Sequence, residues 1–242
     1  MKQEALTSIQ SVSQSSSLKY EIKGENLPVV ICYLEENEKM ITERGAMAWM
    51  SPNMEMTTST NGIGKAIART FSGESLFQNI YCTKRGNGLI AFASSFPGVI
   101  LSFKIDAENE IIVQKKAFLA ATEKVQLSTV FNKKVSAGLF GGEGFIMQKL
   151  GGKGLAFVEI DGSVVEYQLA AGESIVLDTG YLAAMSESCK LKVETVPGLK
   201  NKIFGGEGFF NTIVTGPGHV WIQTMPANKM AGALRPYIPN GD

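Results

Sequence analysis

Apolar residues along the chain gather in short runs broken by glycine, asparagine and charged turns. The runs are rich in β-branched and aromatic residues and too short for helices, so they predict strands. The first two are Lys19–Lys23 and Val29–Leu34, and the runs at 99–105 and 164–169 fill the place of the second further along. Each of these last three ends in a turn where Asn or Gly precedes Glu, namely Asn37-Glu38, Asn109-Glu110 and Gly172-Glu173. That pattern predicts positive φ at Asn37, Asn109 and Gly172, a conformation only these residue types adopt cheaply. Seven residues after each glutamate begins a strand of small residues, at 45–50, 117–122 and 180–185, and a more polar strand follows at 54–58, 124–128 and 190–194. The alanines at their centres fit either three backbones meeting closely about an internal axis or ordinary buried strands with alanine as filler.

The next segment differs between copies. Residues 61–70 place Ile63, Ala66, Ile67 and Thr70 at helical spacing and predict a short helix, while 131–138 and 197–203 are too short or too glycine-rich to assign. Then comes a motif written three times: Phe71-Ser72-Gly73-Glu74-Ser75-Leu76, Phe140-Gly141-Gly142-Glu143-Gly144-Phe145 and Phe204-Gly205-Gly206-Glu207-Gly208-Phe209. The spacing, roughly 65 residues, exceeds that of solenoid repeats and suits a small domain. After it each copy has a G-x-G turn, Gly86-Asn87-Gly88, Gly152-Lys153-Gly154 or Gly216-Pro217-Gly218, between apolar runs, which reads as a tight β-hairpin. Five or six short strands per copy make a small β-sandwich. The chain thus divides into a polar tail at 1–17, β units at 18–97, 98–162 and 163–225, and a C-terminal segment at 226–242. Within that segment 226–235 reads as a short helix with Pro226 in its first turn and Pro236 and Pro239 beyond its end.

The opening Lys19-Tyr20-Glu21-Ile22, the triplet Gly45-Ala46-Met47, the run Ser72 to Asn79, both Phe-Gly-Gly-Glu-Gly-Phe copies and the strand around Trp221 together resemble the family named for altered inheritance of mitochondria, type 24. The resemblance covers about residues 18–235. It implies an all-β fold of three tandem modules similar to the tryptophan RNA-binding attenuation protein (TRAP), arranged with pseudo-threefold symmetry. It also implies a link to inner-membrane organisation for mitochondrial members and no assigned biochemical role for bacterial ones. The chain resembles a bacterial, cytoplasmic member, and RNA binding does not travel with a fold.

Composition narrows the function. Lys plus Arg and Asp plus Glu are 23 each, so no overall field draws the chain to nucleic acid or to a membrane surface. The 44% of hydrophobic residues suffices for a core. Cys32, Cys82 and Cys189 stand far apart, outside any C-x-x-C pair, which speaks against a disulfide framework or zinc site and for a reducing cytoplasm. The first 17 residues have no secretory or transit pattern and read as a disordered tail, and no run approaches the ~18 apolar residues of a membrane span.

His219 is the single histidine and reads as a turn residue without a catalytic task. Gly62-Ile63-Gly64-Lys65 is no phosphate loop, because Ser59 and Ala66 stand where Gly and Ser or Thr belong. No catalytic residue, metal set or cofactor site emerges, and the chain reads as a non-enzymatic structural or interaction protein with homo-oligomer formation left open. Two candidate sets remain. Glu74, Glu143 and Glu207 either converge to hold a hard cation or each cap their own loop, which the repulsion of three unpaired carboxylates favours. Lys65 and Arg69, Lys133 and Lys134, and Lys200 and Lys202 precede the three motifs. They either form a basic face for a ligand, RNA or anionic headgroups or solvate exposed loops. An enzyme working through carboxylates or a metal ranks last.

Overall fold

In the computed structural model, which describes residues 18–42, 45–59, 78–133, 144–195 and 210–238, the apolar runs become strands. These are β1 (Lys19–Lys23), β2 (Val29–Leu34), β3 (Lys39–Thr42), β4 (Met47–Met50), β5 (Met54–Ser59), β6 (Gln78–Thr83) and β7 (Gly88–Ala93). They continue as β8 (Gly98–Ile105), β9 (Ile111–Gln114), β10 (Phe118–Thr122), β11 (Val125–Lys133), β12 (Phe145–Gly152) and β13 (Gly154–Asp161). The last are β14 (Val164–Leu169), β15 (Ser174–Asp178), β16 (Leu182–Ser186), β17 (Lys190–Thr195), β18 (Phe210–Thr215) and β19 (Gly218–Gln223). One helix, α1 (Ala227–Leu234), follows Pro226, and Asp161 Oδ2 accepts the Ala227 N–H at 2.9 Å in its first turn. Among the described residues no helix is long and apolar enough to cross a membrane.

The strands form four antiparallel sheets, in the orders β1-β2-β7-β4, β5-β6-β3-β10-β13-β8, β11-β12-β9-β16-β19-β14 and β15-β18-β17. Three successive sets of six strands, β2 to β7, β8 to β13 and β14 to β19, pair in one order. In each set the first and third strands flank the sixth, and the second and fourth flank the fifth. The third strand meets the sixth through a register shift in every set. Neighbouring sets join by the second strand of one against the third of the next, β3 with β10 and β9 with β16. The equivalent ladder that would close the series on itself, β15 with β4, is not formed, and both strands stand at sheet edges.

Packing explains why several strands lack a polar face. The second sheet sends Met40, Ala120 and Phe157 into one core with Val30, Ile90 and Phe92 of the first sheet. Its alternate residues Ile41, Ala121 and Ala156 enter another core with Val113 and Ala184 of the third. A third core, around Phe145, Leu182, Met185 and Val214, lies between the third and fourth sheets. A strand covered on both faces must be apolar throughout, and each fully buried large side chain contributes about 1.5–3 kcal/mol.

Two expectations are corrected. The G-x-G turns do not close hairpins, because β6 and β7, β12 and β13, and β18 and β19 lie in different sheets. Each turn is a corner that carries the chain from one sheet to the next. A Cβ on Gly154 would overlap Thr122 Oγ1, and one on Gly218 would come within 2.8 Å of Cys189 Sγ, so the corner is tight as well as conformationally demanding. Asn37 (φ 72) and Gly172 (φ 81) take the expected positive φ, but Asn109 does not. Its turn spans residues 106–110, one longer than the others, and Asp106 holds it. Asp106 Oδ1 accepts the Glu108 N–H at 3.1 Å and Asn109 Nδ2 at 2.7 Å. The helix expected at 61–70 and the tail at 1–17 lie outside the described residues.

Candidate interaction surface

The sequence-derived site residues are not brought together by the described part of the chain. Glu74, Glu143, Glu207, Lys65, Arg69, Lys134, Lys200 and Lys202 lie outside the described residues. Lys133 ends β11, its backbone opposite Phe145 of β12. Among the described residues no three His, Cys, Asp or Glu side chains are grouped to hold a metal ion.

His219 is the second residue of β19 and lies beside Glu166 of β14, with Nδ1 2.6 Å from Glu166 Oε1. Its ring stacks on Trp221 at 5.7 Å, and Phe103 meets the same indole edge-on at 4.9 Å. The register that sets Gln168 opposite His219 and Glu166 opposite Trp221 makes this a diagonal cross-strand contact. The result is a half-exposed aromatic and carboxylate patch that fixes an imidazole. Sequence reasoning assigned His219 to a turn and missed Glu166, because strand register is invisible in a single run of residues.

Glu159 on β13 is the most enclosed carboxylate described. Its Oε2 accepts the Ser95 N–H at 2.7 Å and lies 2.8 Å from Ser94 Oγ, while Ser95 Oγ donates to Oε1 at 3.0 Å. Burial pushes its carboxyl above the ordinary range, and the serine donors oppose that shift. Burial likewise raises Asp161, whose Oδ2 holds the start of α1. Glu159 pins the segment between β7 and β8 to β13, and Asp161 pins the C-terminal helix. Both are struts between parts of the fold.

The remaining unusual feature is at the sheet edges. Of the eight edge strands described, β1, β5, β8, β14 and β17 carry charge within the strand, at Glu21, Glu55, Lys104, Glu166 and Lys192, and β11 has only the terminal Lys133. Charge blunts an exposed edge against further pairing. β4, reading Met-Ala-Trp-Met, has none. β15 has only the terminal Asp178, and Lys229 Nζ lies 2.7 Å from its Oδ2. Trp49 on β4 is 48% exposed and Val176 on β15 is 59% exposed.

Comparison with known proteins agrees with this architecture. An uncharacterised protein of Streptococcus pyogenes serotype M6 is 28% identical over 227 residues, covering 90% of this chain and 89% of that one. The crystal structure of a Streptococcus pyogenes protein solved as a structural-genomics target matches with a TM-score of 0.73 at 26% identity, covering 91% of this chain and 100% of that one. The profile of the family described as mitochondrial biogenesis AIM24 matches residues 20–225. That span runs from β1 to just past β19, taking in all three strand sets, and the chain belongs to the AIM24 family.

Proposed function

We propose that the chain is a non-enzymatic structural or interaction protein built from three tandem copies of one TRAP-like β-sandwich unit. The copies are β2 to β7, β8 to β13 and β14 to β19. The observation that carries this reading is the recurrence of one ladder order in all three sets, with the same junction used twice. Independent folding of unrelated segments gives no reason for the fifth and sixth strands to be central each time. Successive units then follow by one repeated rotation, and the pseudo-threefold arrangement is the case in which the third unit meets the first. Such a body works through the surfaces and edges it presents. Its one described imidazole is held by Glu166 on an open sheet surface, not in a closed pocket.

Purified protein incubated with a metabolite extract and followed by mass spectrometry tests the non-enzymatic reading. The expected outcome is no metabolite consumed beyond a heat-unfolded control. Consumption that scales with folded protein overturns it, and its loss in His219→Ala would locate the chemistry.

A further inference from the structure

We infer that β4 and β15 are the two halves of an interface between copies of this chain, with β15 of one copy pairing antiparallel to β4 of the next. The inference rests on the three-unit reading above and names the partner and the register: the third unit meets the first unit of another copy in place of the first unit of its own chain.

The two internal junctions define what each edge accepts. In the first, Ile41 lies opposite Ala121 and Met40 opposite Thr122. In the second, Ile112 lies opposite Met185, Ile111 opposite Ser186 and Val113 opposite Ala184. Equivalent residues in the third unit follow from the ladders. The register shift in the third strand falls before Trp49, Ala120 and Ala184, so Met50, Ala121 and Met185 correspond. On the other side, the core pairs Met40 with Tyr81, Ile111 with Leu150 and Ile175 with Val214 correspond, which places Val176 with Ile41 and Ile112. The missing junction therefore sets Val176 opposite Met50, Ile175 opposite Ser51 and Leu177 opposite Trp49.

Exposure contrasts sharply at these positions. Ile41 and Ile112 are 4% and 8% exposed and Ala120 and Ala184 are 0%, whereas their counterparts Val176 and Trp49 are among the most open apolar side chains of the fold. The same two edges carry no charge within the strand, while five of the six edges with no junction to make carry one there, at Glu21, Glu55, Lys104, Glu166 and Lys192. Joining them produces the order β1-β2-β7-β4-β15-β18-β17, which extends by one strand the order of the two internal six-stranded sheets. Because, among the described residues, the outer edges of β4 and β15 meet no strand of their own chain, each copy offers one edge of each kind. Such a head-to-tail contact propagates, into a ring where the rotation closes and into an open chain of copies where it does not.

Sedimentation velocity of the full chain at tens of micromolar, with Trp49→Asp and Val176→Asp variants, tests this. Both substituted positions are exposed, and circular dichroism checks that the variants keep the wild-type fold. The wild type is expected to sediment as more than one chain and each variant as a single chain. An equimolar mixture of the two variants, each retaining one working edge, is expected to form a species of twice the single-chain mass and nothing larger. Wild type that is a single chain, assemblies indifferent to both variants, or a mixture that does not associate overturns the inference. A Met50→Cys/Val176→Cys variant separates the two ways a single-chain result can arise. An oxidised bond within one chain means β15 closes on its own β4, which sinks the second copy but keeps the unit register. No bond within or between chains sinks the register and the unit reading with it.

Discussion

Gly154→Ala measures how tightly the sheet-to-sheet corner is built. Gly154 has φ 154, where an L side chain costs about 1–3 kcal/mol. The new Cβ would also overlap Thr122 Oγ1, and that oxygen accepts the Leu155 N–H at 3.0 Å. Rotating Thr122 away leaves this N–H without its partner, which costs about 1–3 kcal/mol more. The sum, about 2–6 kcal/mol, is a large part of the 5–15 kcal/mol typical of a domain. Gly172→Ala is the control: its φ of 81 is also unfavourable, but nothing lies within 4 Å of the added Cβ, so about 1–2 kcal/mol is expected. Guanidinium denaturation of both variants, compared at equal m-value, gives the difference. Thr122→Ala added to Gly154→Ala should cost less than the two single changes summed, because the smaller side chain makes room. Equal costs for Gly154→Ala and Gly172→Ala, or strict additivity with Thr122→Ala, would refute the close-approach argument.

Three further outcomes follow from the same structure. Glu159 has a folded-state pKa raised above its ordinary value of 4.5, chiefly by burial, so its contribution to stability is full below that value and is lost as pH rises through the folded one. Glu159→Gln should therefore gain on the wild type in thermal midpoint between about pH 4.5 and neutrality, and a constant offset across that range would contradict the assignment. Gly232→Ala lies inside α1 with open space around the added Cβ, and should stabilise by about 0.5–1 kcal/mol in the same denaturation assay. Cys32 and Cys189 are buried, and burial raises both thiols, so a thiol reagent should modify them only in denaturant, while Cys82 is the one native site.

Much of the fold is written in local pattern. Val29–Leu34 is β-branched and apolar because it packs between neighbours, and positive φ at Asn37 and Gly172 was legible because few residues tolerate it. The apolar strands after the G-x-G turns were legible as strands but not as to partner. The run in β13 looks the same whether its neighbour is β12 across the turn or β8 and β10 in another sheet, and the sheet is chosen by contacts distant in sequence. The same blindness hid the strut at Glu159, since Ser94 and Ser95 stand more than sixty residues before it. Of the candidate site, the glutamates and every basic residue but Lys133 lie outside the described residues, and the edge pair was not legible at all. The small-residue strands at 45–50, 117–122 and 180–185 read alike, yet two are buried and one is open.

That difference is the physical core of the interface. Ala120 and Ala184 are closed over because a strand from the neighbouring unit crosses beside them, with Val113 opposite Ala184 and Thr42 Oγ1 donating to the Leu119 carbonyl. At β4 no described strand of the same chain arrives on that side, and Trp49 takes the place of the alanine. A ladder of about three residue pairs contributes only about 0.5–1.5 kcal/mol per hydrogen bond, whereas association costs about 4–15 kcal/mol in lost freedom. Backbone pairing alone does not hold two copies together. Burying the open parts of Trp49 and Val176, at about 25 cal/mol for each Å² of apolar surface removed from water, adds to the ladder, while Met50 already packs against its own chain's core. It is therefore the side chains at these edges that decide the matter, and a single carboxylate at position 49 or 176 is expected to separate the copies while leaving each chain's own cores in place.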